Sequence, residues 1–287
     1  LSGGVKGLPY RLGIGYYSET GVLKTSALDR YSVTLNASPK ITRNLTANVS
    51  AKAYRAYNQY ANQGAIGSAV WFDPTREVLS GDTSKYGGYF EWGLPNGALS
   101  NLSPRNPVGL LELRDDRGTN DRFIGNVLFD FKPLSETDLH LYVNLGGDFG
   151  LNKGTVVVPD YAAMSFVNGG ENNRYFSTRG NQLLETYANY KKDLAKGKIK
   201  TDWTGGYSFQ KWRSYAENLP SLRFNGDTLS PANPFPYDVD NALMSFFGRS
   251  NINILGKYLI TASLRSDGSS RFSPESRWGL FPSVALG

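Results

Sequence analysis

Along most of this 287-residue chain, apolar and polar positions alternate with a period of two, which predicts strands whose two faces meet different surroundings. Tyr10, Leu12, Ile14 and Tyr16 alternate with Arg11, Gly13 and Gly15, and this run ends at the turn-rich Ser18-Glu-Thr-Gly21. Tyr31, Val33, Leu35 and Ala37 alternate with Arg30, Ser32, Thr34 and Asn36. A short turn from Pro39 to Asn44 leads to Leu45, Ala47, Val49, Ala51 and Ala53, set against Thr46, Asn48, Ser50 and Lys52. Phe123, Val127, Phe129 and Phe131 mark a fourth strand and Leu139, Leu141, Val143 and Leu145 a fifth. Leu184, Thr186, Ala188 and Tyr190 mark the sixth, and Ile199, Trp203, Tyr207 and Phe209 the seventh. An eighth strand near Phe246 to Ile254 turns at Gly256-Lys257 into a final pair. In that pair Tyr258, Ile260, Ala262 and Leu264 share one face, and after a polar loop so do Leu280, Val284 and Leu286. The loop is expected to close at Asp267-Gly268, with Arg265 and Arg271 bracing Asp267.

The connections add a second regularity. Those at Pro39, Lys132, Asp193 and Gly256 read as short, and the connections between them, from Asn58 to Asp121, Gly150 to Ser177 and Ser214 to Asn241, read as long. Short turns at one rim and long loops at the other are the pattern of an up-and-down outer-membrane β-barrel, whose short turns face the periplasm. A Greek-key sandwich gives no reason for such sorting. The expected fold is therefore all-β and antiparallel, with about ten strands. On this reading Leu12, Leu35, Val49, Val127, Leu141 and Ile260 all face lipid.

Composition changes this picture little. There is no cysteine, so stability has to come from burial and backbone pairing rather than disulfides. The mildly polar average hydropathy does not argue against a membrane, because a transmembrane strand shows lipid only every second residue. Net charge is +6, without the clustered basic stripe that tracks a phosphate backbone, so nucleic acid is not an expected partner. The opening Leu1-Ser-Gly-Gly-Val has neither the basic region nor the apolar core of a signal peptide. The whole of 1–287 is expected to be part of one barrel domain belonging to a longer chain.

Candidate chemistry is sparse. With no cysteine and the single histidine His140, neither a zinc site nor a Cys-His pair can be assembled. The run Asp115-Asp-Arg-Gly-Thr-Asn-Asp121 lacks the spacing and terminal glutamate of an EF-hand loop and reads as a polar strand entry. Nothing requires an enzyme, a metal or a cofactor. The long Asn58 to Asp121 connection differs from a linker in carrying Trp71, Tyr86, Tyr89, Phe90 and Trp92, aromatic faces of the kind that stack on sugar rings. These five are the candidate substrate-binding residues; for each taken singly, loop packing or rim anchoring explains it as well.

The last hairpin carries a resemblance. Ala262-Ser-Leu-Arg-Ser-Asp-Gly-Ser-Ser-Arg-Phe272 followed by Arg277-Trp-Gly-Leu-Phe-Pro-Ser283 resembles the barrel signature of the SusC-like TonB-dependent outer-membrane transporters. The early series Gly3-Gly4, Tyr16-Tyr17, Gly21-Val-Leu-Lys-Thr-Ser26, Arg30-Tyr31 and Leu35-Asn36 resembles the same family. The signature residues Arg265, Asp267, Gly268, Arg271, Phe272, Trp278, Phe281 and Pro282 have a structural role on this reading. The resemblance implies a 22-strand barrel around a plug, of which this chain supplies an internal part without plug or TonB box. It further implies import of glycans or oligopeptides in Bacteroidetes-type bacteria, a SusD-like lipoprotein lid, TonB as the energising partner, and outer-membrane lipid and lipopolysaccharide around the wall. A passive porin and a soluble β-sandwich carbohydrate-binding module are the alternatives.

Overall fold

The computed structural model describes residues 1–5 and 8–287. In chain order the strands are β1 (Ser2–Val5), β2 (Leu8–Thr20), β3 (Ala27–Ala37), β4 (Leu45–Gln59), β5 (Asp115–Phe131), β6 (Asp138–Val158) and β7 (Glu171–Leu194). They continue with β8 (Ile199–Ala216), β9 (Ser221–Leu222), β10 (Thr228–Ser230), β11 (Tyr237–Ile254), β12 (Tyr258–Ser269) and β13 (Trp278–Leu286). Two short helices, α1 (Gly64–Trp71) and α2 (Pro107–Glu112), lie between β4 and β5. β9 and β10 form a separate two-stranded ribbon, and the other eleven strands form one sheet in sequence order, each antiparallel to the next.

Register turns the alternation into two faces. One row of paired residues runs Val49, Val127, Leu145, Leu184, Phe209, Met244, Gly268 and Trp278 across seven neighbouring pairs. Partners in an antiparallel ladder project to the same side, so this row fixes the face of every strand it crosses. Leu12 pairs with Leu35, Leu35 with Ala51 and Ile260 with Ile252, which puts all six residues expected to face lipid on that side. The opposite face carries Lys52, Asn126, Asn144, Glu185, Asn189, Ser208, Asn251 and Thr261.

Among the described residues no second sheet covers the apolar face: Leu145 is 48% exposed and Leu264 49%. A β-sandwich would bury these side chains between sheets, so that alternative is set aside. Aromatics edge the apolar band at both ends. Tyr16, Tyr31 and Tyr57 run in contact near the long-loop rim, with ring centroids 5.0 and 6.4 Å apart; Tyr190 and Trp203 meet at 6.3 Å near the short-turn rim. Paired aromatic girdles around an apolar belt belong to strands that cross a bilayer. The fully buried apolar residues sit mostly in the rim loops instead, among them Ala65, Leu99, Leu110, Ala162 and Ala163.

Three expectations need correction. The strands run well past the alternating segments: β6 continues to Val158, and β8 and β11 stay paired out to Ala216 and Tyr237, while Asp115 to Asp121 is the polar entry of β5, as expected. At these ends an apolar outward face no longer alternates with a polar inward one, since β6 closes on Val156 to Val158 and β8 turns Lys211 and Arg213 outward, so backbone pairing sustains strands that hydrophobic alternation does not signal. The sorting of loops by length is not strict, because the 21–26 connection on the long-loop rim is no longer than 38–44 opposite it. Asp267 and Gly268 are not in the turn. Both lie inside β12, paired with Gly279 and Trp278, and the chain reverses over 270–277.

Candidate functional site

The 60–114 connection folds into a compact cap over the rim. Asn106 holds it together from a position that is 1% exposed. Its side-chain oxygen caps α2 by accepting from the amides of Val108 and Gly109 at 3.0 and 3.1 Å, with Pro107 at the first helical position. Its side-chain amide donates to the carbonyls of Val78 and Phe90 at 2.8 and 3.3 Å, and its backbone amide donates to Glu91 Oε1 at 2.9 Å. Glu91 is itself buried, with Arg105 3.8 Å away and its second oxygen without a hydrogen-bond partner. Burial holds this carboxyl above the usual carboxylate range.

The cap is tied to its neighbours on both sides. Lys24, in the β2–β3 turn, donates to Glu112 of α2, and that bond keeps the Glu112 carboxyl below its usual range. Thr25 donates to the Leu111 carbonyl at 3.3 Å. On the other flank Tyr86 meets Phe166 of the 159–170 loop edge to face at 5.4 Å.

The five aromatic candidates therefore do not form one surface. Phe90 and Trp92 pack edge to face at 5.2 Å, with Phe72 beyond Phe90 and the Arg76 guanidinium over both rings. Tyr89 lies against Gly109 of α2, where an added Cβ would come within 3.2 Å of its ring. Tyr86 is committed to Phe166. Only Trp71, the last residue of α1, stands free, 80% exposed. With Ile66 and Val70, also exposed, it forms an apolar edge on the cap.

On the inward face the sequence reading missed a ladder. Tyr142 pairs with Tyr187, Tyr187 with Gly206, Gly206 with Phe247, Phe247 with Arg265 and Arg265 with Phe281, giving one continuous row across six strands. Tyr142 and Tyr187 stack at 4.7 Å, and His140 stacks on Tyr142 at 5.9 Å while its Nδ1 lies 2.6 Å from Asp130. Gly206 is required here: a Cβ would fall 2.4 Å from that of Tyr187, so the ring can lie flat against the wall. The row was hidden because each strand contributes only one or two members, and register alone joins them.

The signature residues fall into three groups. Arg265 reaches Asp267 at 2.7 Å and Ser245 Oγ at 2.9 Å on the inward face; Arg271 makes no ion pair with Asp267, contrary to expectation, since Asp267 is drawn into the strand away from the turn. Gly268 faces outward beneath Trp278, where a Cβ would fall 2.9 Å from the indole, and Trp278 stacks on Phe246 at 6.1 Å. Phe281 covers Gly279, Pro282 pairs with Leu264, and Phe272 is exposed in the turn. Among the described residues no cluster of His, Cys, Asp and Glu is arranged to hold a metal ion.

No protein-family profile matches the chain. The TonB-dependent receptor SusC of Bacteroides thetaiotaomicron is 34% identical to it across its whole length, which covers 30% of that receptor. TonB-dependent receptor P39 of Formosa agariphila is 24% identical, with all of this chain matched to 27% of P39. The chain thus spans about three-tenths of these curated relatives. Among solved structures, the RagAB peptide transporter superposes with a TM-score of 0.73 at 20% identity, over 99% of this chain and 32% of that one. The siderophore receptor PirA from Acinetobacter baumannii gives 0.58 at 13% identity, over 98% and 36%. Likeness at such identities speaks for the barrel fold alone.

Proposed function

Since the chain is SusC-like and forms part of the β-barrel wall of a TonB-dependent receptor, we propose that the protein carrying it imports large nutrients, oligosaccharides or oligopeptides, across the outer membrane of a Bacteroidetes-type bacterium. Import would be energised through TonB, with a SusD-like lipoprotein as the lid over the rim. The carrying observation is the register: one face holds an apolar band between aromatic girdles, and the other holds a polar wall with a row of rings. A wall dry on one side and wet on the other suits a conduit.

Within this reading the cap captures and the wall passes. Trp71 is the best-placed of the five aromatic candidates to touch a ligand or lid, because it alone is free. Phe90 and Trp92 would act together, as the interior of the cap that holds its shape. The Tyr142, Tyr187 and Phe247 row offers flat rings to a passing sugar or peptide.

The test is uptake of labelled oligosaccharide and oligopeptide pools by cells producing the full-length receptor, before and after the proton gradient is collapsed. Uptake that stops on collapse is expected; uptake that persists would turn the reading into a passive porin. Replacing Trp71 and Trp92 together by Ala should leave the folded, heat-modifiable barrel band unchanged while lowering uptake or lid retention. Unchanged uptake together with unchanged lid retention would remove the cap from the mechanism.

A further inference from the structure

The two faces of the upper wall treat charge differently. On the outward face the cations come with partners: Arg55 meets Asp121 at 2.5 Å, Lys211 meets Asp240 at 2.9 Å and Arg213 meets Asp238 at 2.7 Å. On the inward face, from the rung of Asn126 up to the rung of Arg30, the cations are Arg11, Arg30, Lys52, Arg122 and Arg179. Among the described residues Asp148 is the one carboxylate that β2 to β11 turn inward over that height, and Arg122 takes both its oxygens, at 2.7 and 2.5 Å. Arg11, Lys52 and Arg179 have no ion-pair partner among the described residues. Arg30 has only the rings of Tyr17 and Tyr54, at 5.3 and 5.9 Å.

Register gathers these cations. Tyr54, Arg122, Gly150, Arg179 and Ser214 form one continuous rung over β4 to β8. Adjacent strands lie about 4.8 Å apart, which sets the backbones of Arg122 and Arg179 about 10 Å from each other. Gly150 lies between them, where even an added Cβ would meet nothing within 4 Å, so the wall is open there. One inward position below Arg179 is Asn181, paired with Trp212. Trp212 is therefore diagonal to Arg179, at about 7–8 Å, within reach of a long side chain. A flat ring thus stands beside an unpartnered cation, and Lys52 lies one inward position below Tyr54 on β4.

We infer that this stretch of the wall selects an acidic oligomer with carboxylates spaced along its chain: Arg179 and Lys52 take carboxylates, and Trp212 takes the flat face of a unit beside one. The inference rests on the import reading above, which makes the inward face the one a substrate passes, and it narrows that substrate to the anionic members of the two classes named there. The contrast between the faces carries it. A sheet that needed charge only for solubility would have no reason to neutralise the cations of one face and leave those of the other. A guanidinium fork fits a carboxylate at two points, as Arg122 and Asp148 do within the wall itself. Cations lining a cleft also raise the local concentration of anions that enter it. Uronate oligosaccharides and acidic peptides share this chemistry, and the experiment separates them.

The experiment offers four labelled chains to the full-length receptor in detergent: oligogalacturonate, its methyl ester, hexaglutamate and hexaglutamine. At least one acidic chain should bind about tenfold tighter than its neutral counterpart, and the chain that does so identifies the source. Added salt should weaken that chain and spare the neutral one. Arg179→Gln with Lys52→Gln should weaken the acidic chain about fivefold per cation removed and leave the neutral chain unchanged. Trp212→Ala should weaken both members of the pair. Should the double variant fail to give the folded barrel band, Lys52→Gln alone and the salt titration of the wild type take its place. Equal binding of acidic and neutral chains, or no binding of either acidic chain, would overturn the inference. So would an equal loss of both chains in the double variant, which would mean that the cations serve the protein's own fold. Unchanged binding in Trp212→Ala would strike the ring from the site. If acidic chains were not preferred while cells producing the receptor still imported a chain by way of the proton gradient, the acidic selectivity alone would fall. Import that survives collapse of the gradient would bring down the reading beneath it.

Discussion

The wall and the cap are stabilised in opposite ways. The wall is one sheet with an unbroken ladder of backbone bonds, and among the described residues no second sheet covers either face, its apolar side chains being matched to a bilayer. The cap has little regular structure and closes instead around two buried polar residues, Asn106 and Glu91, whose bonds join segments far apart in the chain. Damage to the wall should therefore spread along the ladder, whereas damage to the cap should stay local.

The largest effect should come from charging the lipid side of the wall. Leu145→Lys, near the middle of the apolar band, should cost about 2–4 kcal/mol of barrel stability in lipid vesicles, read by denaturant titration of the heat-modifiable band. Asn144→Lys, one residue away on the wet face, should cost under about 1 kcal/mol. Similar losses at both positions would erase the distinction between the faces. The next largest effect belongs to the cap. Asn106→Ala removes a helix cap and leaves buried carbonyls without donors, at a cost of about 2–4 kcal/mol. Hydrogen exchange should speed up across 76–113 while β5 to β8 keep their protection; loss of protection in the strands as well would mean that cap and wall fold as one unit.

A smaller effect tests the signature glycine. Gly268→Ala would force the Trp278 indole off the strand, at a cost of about 1–2 kcal/mol to the β12–β13 pairing, and Trp278 fluorescence should shift. The smallest concerns pH. Burial makes Glu91 bind its proton more tightly in the folded cap than in the unfolded chain. Cap stability should therefore fall as pH rises from the usual carboxylate range through the raised value of Glu91. Glu112, held low by Lys24, acts in the other direction and in a lower window, its contribution being lost as pH drops below the usual carboxylate range. Exchange-derived cap stabilities for wild type and Glu91→Gln should diverge with rising pH; parallel curves would show that Glu91 titrates as an ordinary exposed carboxyl.

What could be read in the sequence follows the same division. Alternation identified the lipid face at Leu12, Leu35, Val49, Val127, Leu141 and Ile260 because the two sides of a strand meet different solvents, and that contrast is written into every second residue. It failed at the strand ends, where the contrast between the two faces is lost or reversed, and at Asp267-Gly268, where a turn dipeptide sits within a strand because Trp278 covers the glycine. The cap was recognisable as more than a linker by its aromatics, yet their separation into Phe90 with Trp92, Tyr89 on α2 and Tyr86 on Phe166 depends on long-range contacts. Only Asn106-Pro107, a helix cap followed by proline, left a local trace of how the cap is held.

The unequal reach of the strands has a geometric consequence for the wall. β7 runs for 24 residues and β3 for 11. Along the ladder Ala27 stands level with Arg174 and Ala37 with Leu184, so β7 passes β3 by only three residues at Glu171 but by ten at Leu194. Successive short turns thus step down the ladder, as they do where strands tilt by about 40° against the barrel axis. The rungs then climb around the wall instead of circling it, and a molecule that follows the Tyr142, Tyr187 and Phe247 row turns as it descends, like a bolt in a thread.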